Sequence, residues 1–136
     1  MDTKVVFEAS RATLTGSVPF SEVVRRLLDT GVEYYHVDYV ALRTTFFSAA
    51  GDFVSSSITL EGLPLVAADF DAAGLRAAIL DSQRHGQSYR DFTRRAMQAG
   101  VQSYIAFLRG KRVTYWGRGG EQHTEWFPGA APPASQ

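Results

Sequence analysis

The sequence predicts an α+β domain: an antiparallel sheet of about five to seven strands with three main helices packed largely on one face. Three observations carry this prediction. Apolar stripes at helical spacing end at glycines, and a β-rich run follows each glycine directly. The predicted strands alternate apolar and polar residues, as strands with one buried face do. The connections between consecutive strands are short, which favours antiparallel neighbours.

Length and composition fit one domain over residues 1–128. The chain has 136 residues, 45% of them hydrophobic, and it contains no cysteine, which excludes disulfides and thiolate chemistry. The start lacks the basic and apolar regions of a signal peptide. No apolar run approaches the roughly 20 residues of a membrane span, so we expect a soluble, cytoplasmic protein. Residues 129–136 are rich in Pro and Ala and are predicted to be a disordered tail.

The first half of the chain predicts helical and then extended structure. Residues 1–17 favour a helical entry segment over a strand. A main helix begins at Pro19, where the missing N–H costs nothing, and stops before Gly31. Strands are predicted over 32–40, 42–48 and 53–60, the last with a turn before it. On the first of these strands, the face that packs against the core is predicted to carry Tyr35, Val37 and Tyr39.

The second half predicts a similar order of elements. An irregular stretch over 61–70, with a short strand at 65–67, leads to a helix that Asp71 caps and that runs to Arg84. Ser88 caps the third main helix, which ends at Gly100. Its predicted inward face carries Tyr89, Phe92, Ala96 and Ala99. A three-stranded meander follows over 101–108, 112–116 and 121–127.

Two helix–strand junctions share the pattern Gly-Val-x-x-Tyr. The first contains Gly31 and Tyr35, and the second contains Gly100 and Tyr104. Two interpretations remain open at this point: a common helix–strand joint, or a faint internal repeat.

A longer pattern, from Pro19 to Pro128, resembles the domain-of-unknown-function 1398 family, sometimes labelled phage-envelope-like. The match is spread over many weak positions, and one departure is Thr93, which stands where the family pattern has Cys. The resemblance implies no reaction. The residues that carry it are Gly31, Val32, Tyr35, Gly86, Tyr89, Phe92, Ala99, Gly100, Val101, Thr114 and Tyr115.

Asp81, His85 and Tyr89 are the catalytic candidates, at the joint between the second and third main helices. Asp81 and His85 are four residues apart, so the carboxylate can orient the imidazole as a general base. The alternative is a histidine at a helix C-terminus, where its charge suits the helix dipole. No nucleophile motif surrounds the nearby serines.

His36, Asp38 and Trp116 are the ligand-binding candidates. His36 and Asp38 lie two apart on one strand face, which is a usable ligand spacing, but no second histidine follows at metal-site spacing. Neither a metal nor another cofactor is expected. Trp116 belongs to a set of strand aromatics too large for one sheet face to bury, so some exposed aromatic surface is predicted.

The charge distribution leaves a nucleic-acid interpretation open, though it is not favoured. Residues 1–81 carry six basic and eleven acidic side chains, whereas residues 82–136 carry eight basic and three acidic ones. Folding can interleave the two halves, or the basic half can form a face for single-stranded nucleic acid. The basic side chains of that half that interleave with aromatics are Arg90, Arg94, Arg95, Arg109, Lys111 and Arg112.

The function itself is not encoded in a recognisable motif. The missing catalytic constellation and the surplus of aromatics favour a non-enzymatic binding or interaction module that forms a homodimer. A small enzyme or ligand-binding protein with a site around His85 is the alternative.

Overall fold

The computed structural model describes residues 1–130; part of the predicted tail, residues 131–136, lies outside the described residues. The helices are α1 (Thr3–Thr15), α2 (Phe20–Asp29), α3 (Ala72–Arg84) and α4 (Tyr89–Gln98). The strands are β1 (Val32–Asp38), β2 (Arg43–Ser48), β3 (Phe53–Ser57), β4 (Val101–Phe107), β5 (Arg112–Gly117) and β6 (Gln122–Trp126).

The six strands form one antiparallel sheet in the order β3-β2-β1-β4-β5-β6. The α+β class and the strand number are therefore as predicted. The described residues contain four helices, so the expected number of three main helices is wrong by one. The fourth is α1, which Asp2 caps through hydrogen bonds from the amides of Lys4 and Val5. It was predicted only as an entry segment, but Val6, Ala9 and Ala12 bury one of its faces.

The segment between β3 and α3 contains no strand, so the strand predicted at residues 65–67 is wrong. Ala67 donates its amide hydrogen to the carbonyl of Met97, at the end of α4, and Asp71 donates to Ala99. The segment is held to the helix layer by these single bonds rather than by a ladder. The predicted strand over 53–60 is likewise shorter, because β3 ends at Ser57.

All four helices pack on one face of the sheet. The central strands contribute the predicted inward residues Tyr35, Val37 and Tyr39, all at most 7% exposed. Together with helix residues they form one core cluster, which removes the apolar helix stripes and one sheet face from water. The cluster includes Val6, Leu27, Leu75, Met97, Phe46, Tyr104, Ala106 and Tyr115.

The chain contains two copies of one structural repeat, and residue i of the first copy corresponds to residue i + 69 of the second. The bounds of α1 and α3 are 69 apart at both ends, and so are those of α2 and α4. Two backbone peculiarities repeat at the same offset: Leu42 and Lys111 both have positive φ, as do Gly31 and Gly100. Identical residues at this offset are Asp2/Asp71, Ala9/Ala78, Arg25/Arg94, Arg26/Arg95, Gly31/Gly100, Val32/Val101, Tyr35/Tyr104, Arg43/Arg112, Thr45/Thr114 and Gly51/Gly120.

A pseudo-two-fold axis relates the two repeats and passes through the centre of the sheet. In the central β1–β4 ladder His36 pairs with Ile105, its own equivalent, and the other pairs are arranged symmetrically about that pair. The flanking bonds obey the same symmetry: Ile58 donates to Leu42, and Phe127 donates to Lys111. Each repeat is thus a helix pair followed by a three-stranded meander.

Candidate functional site

The face of the sheet opposite the helices, here called the helix-free face, carries three rows of side chains that run across all six strands. The strand registers fix which residues are neighbours. The aromatic row consists of Phe53, Phe47, Tyr34, Phe107, Arg112 and Trp126. The middle row consists of Ser55, Thr45, His36, Ile105, Thr114 and Thr124, and the polar row of Ser57, Arg43, Asp38, Ser103, Trp116 and Gln122.

The aromatic row is a continuous strip of rings in contact. Tyr34 stacks on Phe47 with ring centroids 4.8 Å apart, and Phe107 lies 6.1 Å from Tyr34 on the other side. Phe47 in turn contacts Phe53, which is 67% exposed at the sheet edge. Rings at these separations attract one another beyond simple burial. The strip therefore forms a preorganised apolar surface that faces away from the helices.

Arg112 ends the run of adjacent rings with a positive charge. Its guanidinium carbon lies 4.9 Å from the ring centroid of Trp126, within cation–π range. Arg43, its equivalent in the first repeat, meets Ser57 instead of a ring and donates from Nε to Ser55 at 3.2 Å. Each repeat thus places one arginine on this face, at equivalent positions of the repeat.

The three ligand-binding candidates lie on the helix-free face. Asp38 and Trp116 both flank Ser103 in the polar row, and His36 is in the middle row beside them. Asp38 Oδ1 accepts hydrogen bonds from the amides of Val40 and Ala41, both at 2.9 Å. That carboxylate oxygen therefore closes the β1–β2 turn. Within residues 1–130 no group of three His, Asp or Glu side chains is arranged to hold a metal ion.

The three catalytic candidates divide between the surface and the core. His85 Nδ1 lies 3.1 Å from Asp81 Oδ1, as their spacing predicted, but the His85 side chain is 75% exposed. The hydroxyl of Tyr89 points inwards and bonds the hydroxyl of Tyr104 at 2.7 Å. The structure therefore brings Asp81 and His85 together and directs Tyr89 away from them.

Asp81 is shared between two cationic partners. Arg95 donates to its other carboxylate oxygen at 2.8 Å, which ties α3 to α4. Arg95 and, after it, His85 lower the pKa of Asp81. Gln87 completes the joint by donating to Ser82 and accepting from Arg95. These bonds occupy the polar groups of the helix joint with contacts that hold the two helices together.

A cluster of tyrosine side chains lies between the helices and the sheet. The ring of Tyr104 is at the centre and contacts the rings of Tyr35, Tyr39 and Tyr115. Burial raises the pKa of all four and of Tyr89. The hydroxyls of Tyr39 and Thr93 are buried and make no hydrogen bond within the described residues. Burial raises the pKa of Tyr39, and the nearby Thr93 hydroxyl opposes part of that rise.

A cavity of about 20 Å³ adjoins this cluster, between α1, α2 and the sheet. Its lining includes Thr13, Tyr35, Thr44, Tyr89 and Tyr104. That volume admits about one water molecule. The cavity is therefore too small for a substrate.

The charges of the two halves are interleaved. Arg109 of the basic half donates to Glu33 at 3.0 Å, and Arg95 bonds Asp81 at 2.8 Å. Arg94 lies 3.8 Å from Asp91, and Arg112 stacks on Trp126. Two of the eight basic side chains of residues 82–136 thus pair with acidic side chains of the first half, whereas Arg94 pairs within its own half.

The sequence predicted that many aromatic residues lie on strands, but it did not predict which of them are neighbours across the sheet. Phe53, at the start of β3, extends the row to the sheet edge. The alternation within each strand separates Tyr34, Phe47 and Phe107 from the inward residues. Their assembly into one row depends on the registers of two strand pairings, β1–β2 and β1–β4, and no local pattern specifies those registers.

The class of protein is a two-layer α+β domain, built from an internal repeat, with one aromatic sheet face left uncovered by helices. The chain belongs to the DUF1398 family, described as proteins of unknown function, whose pattern matches residues 4–125. No curated protein is similar enough to this chain to match it. Within residues 1–130, no helix is both long and apolar enough to cross a membrane.

Proposed function

We propose that the chain is a non-enzymatic interaction module whose binding surface is the helix-free face, and that it acts as a cytoplasmic homodimer. The aromatic row is the observation that carries this proposal. Contiguous exposed apolar patches on small domains mark binding surfaces, because exposing them to water costs free energy.

Comparison of the two repeats supports the choice of this face. Core positions have remained alike, as Val32/Val101 and Tyr35/Tyr104 show. On the helix-free face, by contrast, the repeat symmetry maps the aromatic row onto the polar row: Tyr34 corresponds to Ser103, and Phe107 to Asp38. At these two positions an aromatic ring of one repeat thus corresponds to a polar side chain of the other.

The helix joint supports an enzyme less well. His85 is largely exposed, the Tyr89 hydroxyl bonds Tyr104 in the core, and the Ser82 hydroxyl accepts a hydrogen bond from Gln87. A general base must lie within hydrogen-bond reach of the group whose proton it removes. The joint offers the Asp81–His85 pair without such a neighbour.

Light scattering over a concentration series tests the proposal. A dimer has a mass of about 30 kDa, twice the 15.0 kDa of one chain. Phe53→Lys places a charge in the aromatic row and is expected to weaken self-association by about tenfold or more. Leu65→Lys is the matched control, because Leu65 is 93% exposed but lies in the segment held to the helix layer.

A mass of 15 kDa that does not change with concentration would contradict the homodimer. Equal effects of the two lysine variants would contradict the assignment to the helix-free face. A titration with single-stranded oligonucleotide, followed by tryptophan fluorescence, separates the nucleic-acid alternative: salt-sensitive quenching would favour it, since phosphate contacts are weakened by salt.

A further inference from the structure

We infer that two copies pack by their helix-free faces, with the two-fold axis parallel to the strands and between β1 and β4. This inference rests on the proposed function and adds the arrangement of the partner. It follows from the order of side chains in the three rows and from the positions of the charges among them.

A rotation about this axis keeps each row at its own level and reverses its order across the strands. The aromatic row of one copy then lies on the aromatic row of the other, with Tyr34 against the partner's Phe107 and Phe53 against the partner's Trp126. The middle row likewise lies on the middle row, where hydroxyl-bearing residues oppose one another on both sides of the axis. Apolar surface is covered by apolar surface, as hydrophobic burial requires.

The same rotation places every arginine of this face against a ring. Arg112 faces the partner's Phe47, and Arg43 faces the partner's Trp116. Cation–π contacts of this kind are favourable and stronger when water is excluded. Asp38 faces the partner's Ser103, whose hydroxyl can donate to the carboxylate.

The competing face-to-face arrangement has its axis across the strands. It maps the aromatic row onto the polar row, so that Tyr34 meets the partner's Asp38 and Phe53 meets the partner's Ser57. Covering a carboxylate with a ring removes water from a charge without pairing it, which is costly. The axis parallel to the strands avoids that cost.

The helix-free face is large enough for a stable interface. Six strands of five to seven residues, at strand spacings of about 4.8 Å and rises of about 3.3 Å, span a face of roughly 500–600 Å². Two such faces together bury about 1,000 Å² or more, near the lower bound for a specific complex. Facing sheets stack about 10 Å apart with their strands nearly aligned.

A cross-linking experiment determines the orientation of the axis. Because the chain has no cysteine, an introduced cysteine provides its single thiol. Ser55→Cys and Thr124→Cys each place one thiol in the middle row, at opposite edges of the sheet. With the axis parallel to the strands, position 55 faces position 124 of the other copy. Each position lies five strand spacings, or about 24 Å, to the side of the same position in the other copy.

A short bismaleimide should therefore link an equimolar mixture of the two variants into a covalent dimer and leave each variant alone as single chains. Cross-linking within either variant alone would overturn the inference, because the axis across the strands brings equal positions together. That result leaves the proposed function standing.

If the mixture also fails to cross-link while light scattering shows a dimer, the dimer uses another surface, and both the inference and the assignment to the helix-free face are overturned. A mass of one chain in light scattering removes the homodimer itself. A mass in light scattering that grows beyond two chains with concentration would indicate open edge-to-edge association of β3 with β6, which also overturns the inference.

Discussion

Gly31 and Gly100 occupy equivalent positions in the two repeats, yet their surroundings differ. Both have φ of +91°, a conformation that L side chains rarely adopt. A methyl group at Gly31 would meet open space, whereas one at Gly100 would collide with the backbone carbonyl of Asp69. The close contact arises because the segment before α3 crosses only the second repeat, where Asp71 donates to Ala99.

The two glycine-to-alanine variants should separate backbone strain from collision. Gly31→Ala is expected to lower the free energy of unfolding by about 1–2 kcal/mol, the cost of a left-handed conformation for a side chain. Gly100→Ala carries the same cost and adds the collision, so a loss of more than about 3 kcal/mol is expected. Urea denaturation of both variants measures the difference. Equal losses of unfolding free energy would show that the backbone at Asp69 moves aside without cost and would contradict this prediction.

Residue-level patterns predicted local contacts better than functional ones. The spacing of Asp81 and His85 gave their contact correctly. Tyr89 was assigned both to the apolar face of its helix and to the candidate site with His85 at the helix joint, and only the first assignment is consistent with its bond to Tyr104. Its place in the apolar stripe with Phe92 and Ala96 was the stronger signal, because burial of a stripe fixes the orientation of the whole helix.

At the scale of elements, the two repeats begin their second helix differently. The Oγ of Ser88 accepts from the amide of Asp91 at the start of α4, whereas Pro19 offers no side-chain cap to α2. Ion pairs compensate at α2: Arg25 and then Arg26 lower the pKa of Glu22 to about 2, so its carboxylate stays charged near the helix N-terminus.

Ser88→Ala should therefore destabilise the protein by about 1 kcal/mol, the usual worth of an N-cap hydrogen bond. Thermal or urea unfolding measures the loss. Ser21→Ala in α2 is the control, since Ser21 is exposed and not a cap. A loss at Ser88 no larger than that at Ser21 would mean that the Arg95–Asp81 bond alone fixes the start of α4.

Secondary structure was largely predictable from these local signals, and strand order was not. The caps Asp71 and Ser88 and the terminating glycines mark three helices by residue type alone. The order across the sheet depends on the β1–β4 ladder, which joins residues about 70 positions apart. No turn links these strands, so nothing local specifies their pairing.

At the scale of the whole molecule, the internal repeat is visible only when sequence and structure are taken together. Eleven identities occur at the 69-residue offset, ten of them within residues 2–58 and 71–127 of the two repeats. The Gly-Val-x-x-Tyr pattern hinted at the repeat, and the symmetric ladder around His36 and Ile105 shows its extent. On the helix-free face the repeats share Arg43/Arg112 and Thr45/Thr114 but differ at Tyr34/Ser103 and Asp38/Phe107.

The buried tyrosine cluster makes the stability of the whole molecule sensitive to alkaline pH. Burial raises the pKa of Tyr35, Tyr39, Tyr89, Tyr104 and Tyr115 above the ordinary value of 10.0. The folded state therefore keeps these protons when the unfolded chain has lost them. Stability is fully present below pH 10 and falls as the pH rises above it, by about 1.4 kcal/mol per pH unit for each such tyrosine.

Absorbance of tyrosinate, followed together with far-ultraviolet circular dichroism from pH 9 to 13, checks this prediction. Most of the tyrosinate signal should appear in one cooperative step, at the pH where the helices unfold, because ionisation of the cluster requires its exposure. Tyr115→Phe should shift that step to higher pH, since it removes one ionisable group and keeps the ring contact with Tyr104. Gradual tyrosinate formation at pH 10, with the circular dichroism unchanged, would contradict the burial of the hydroxyls.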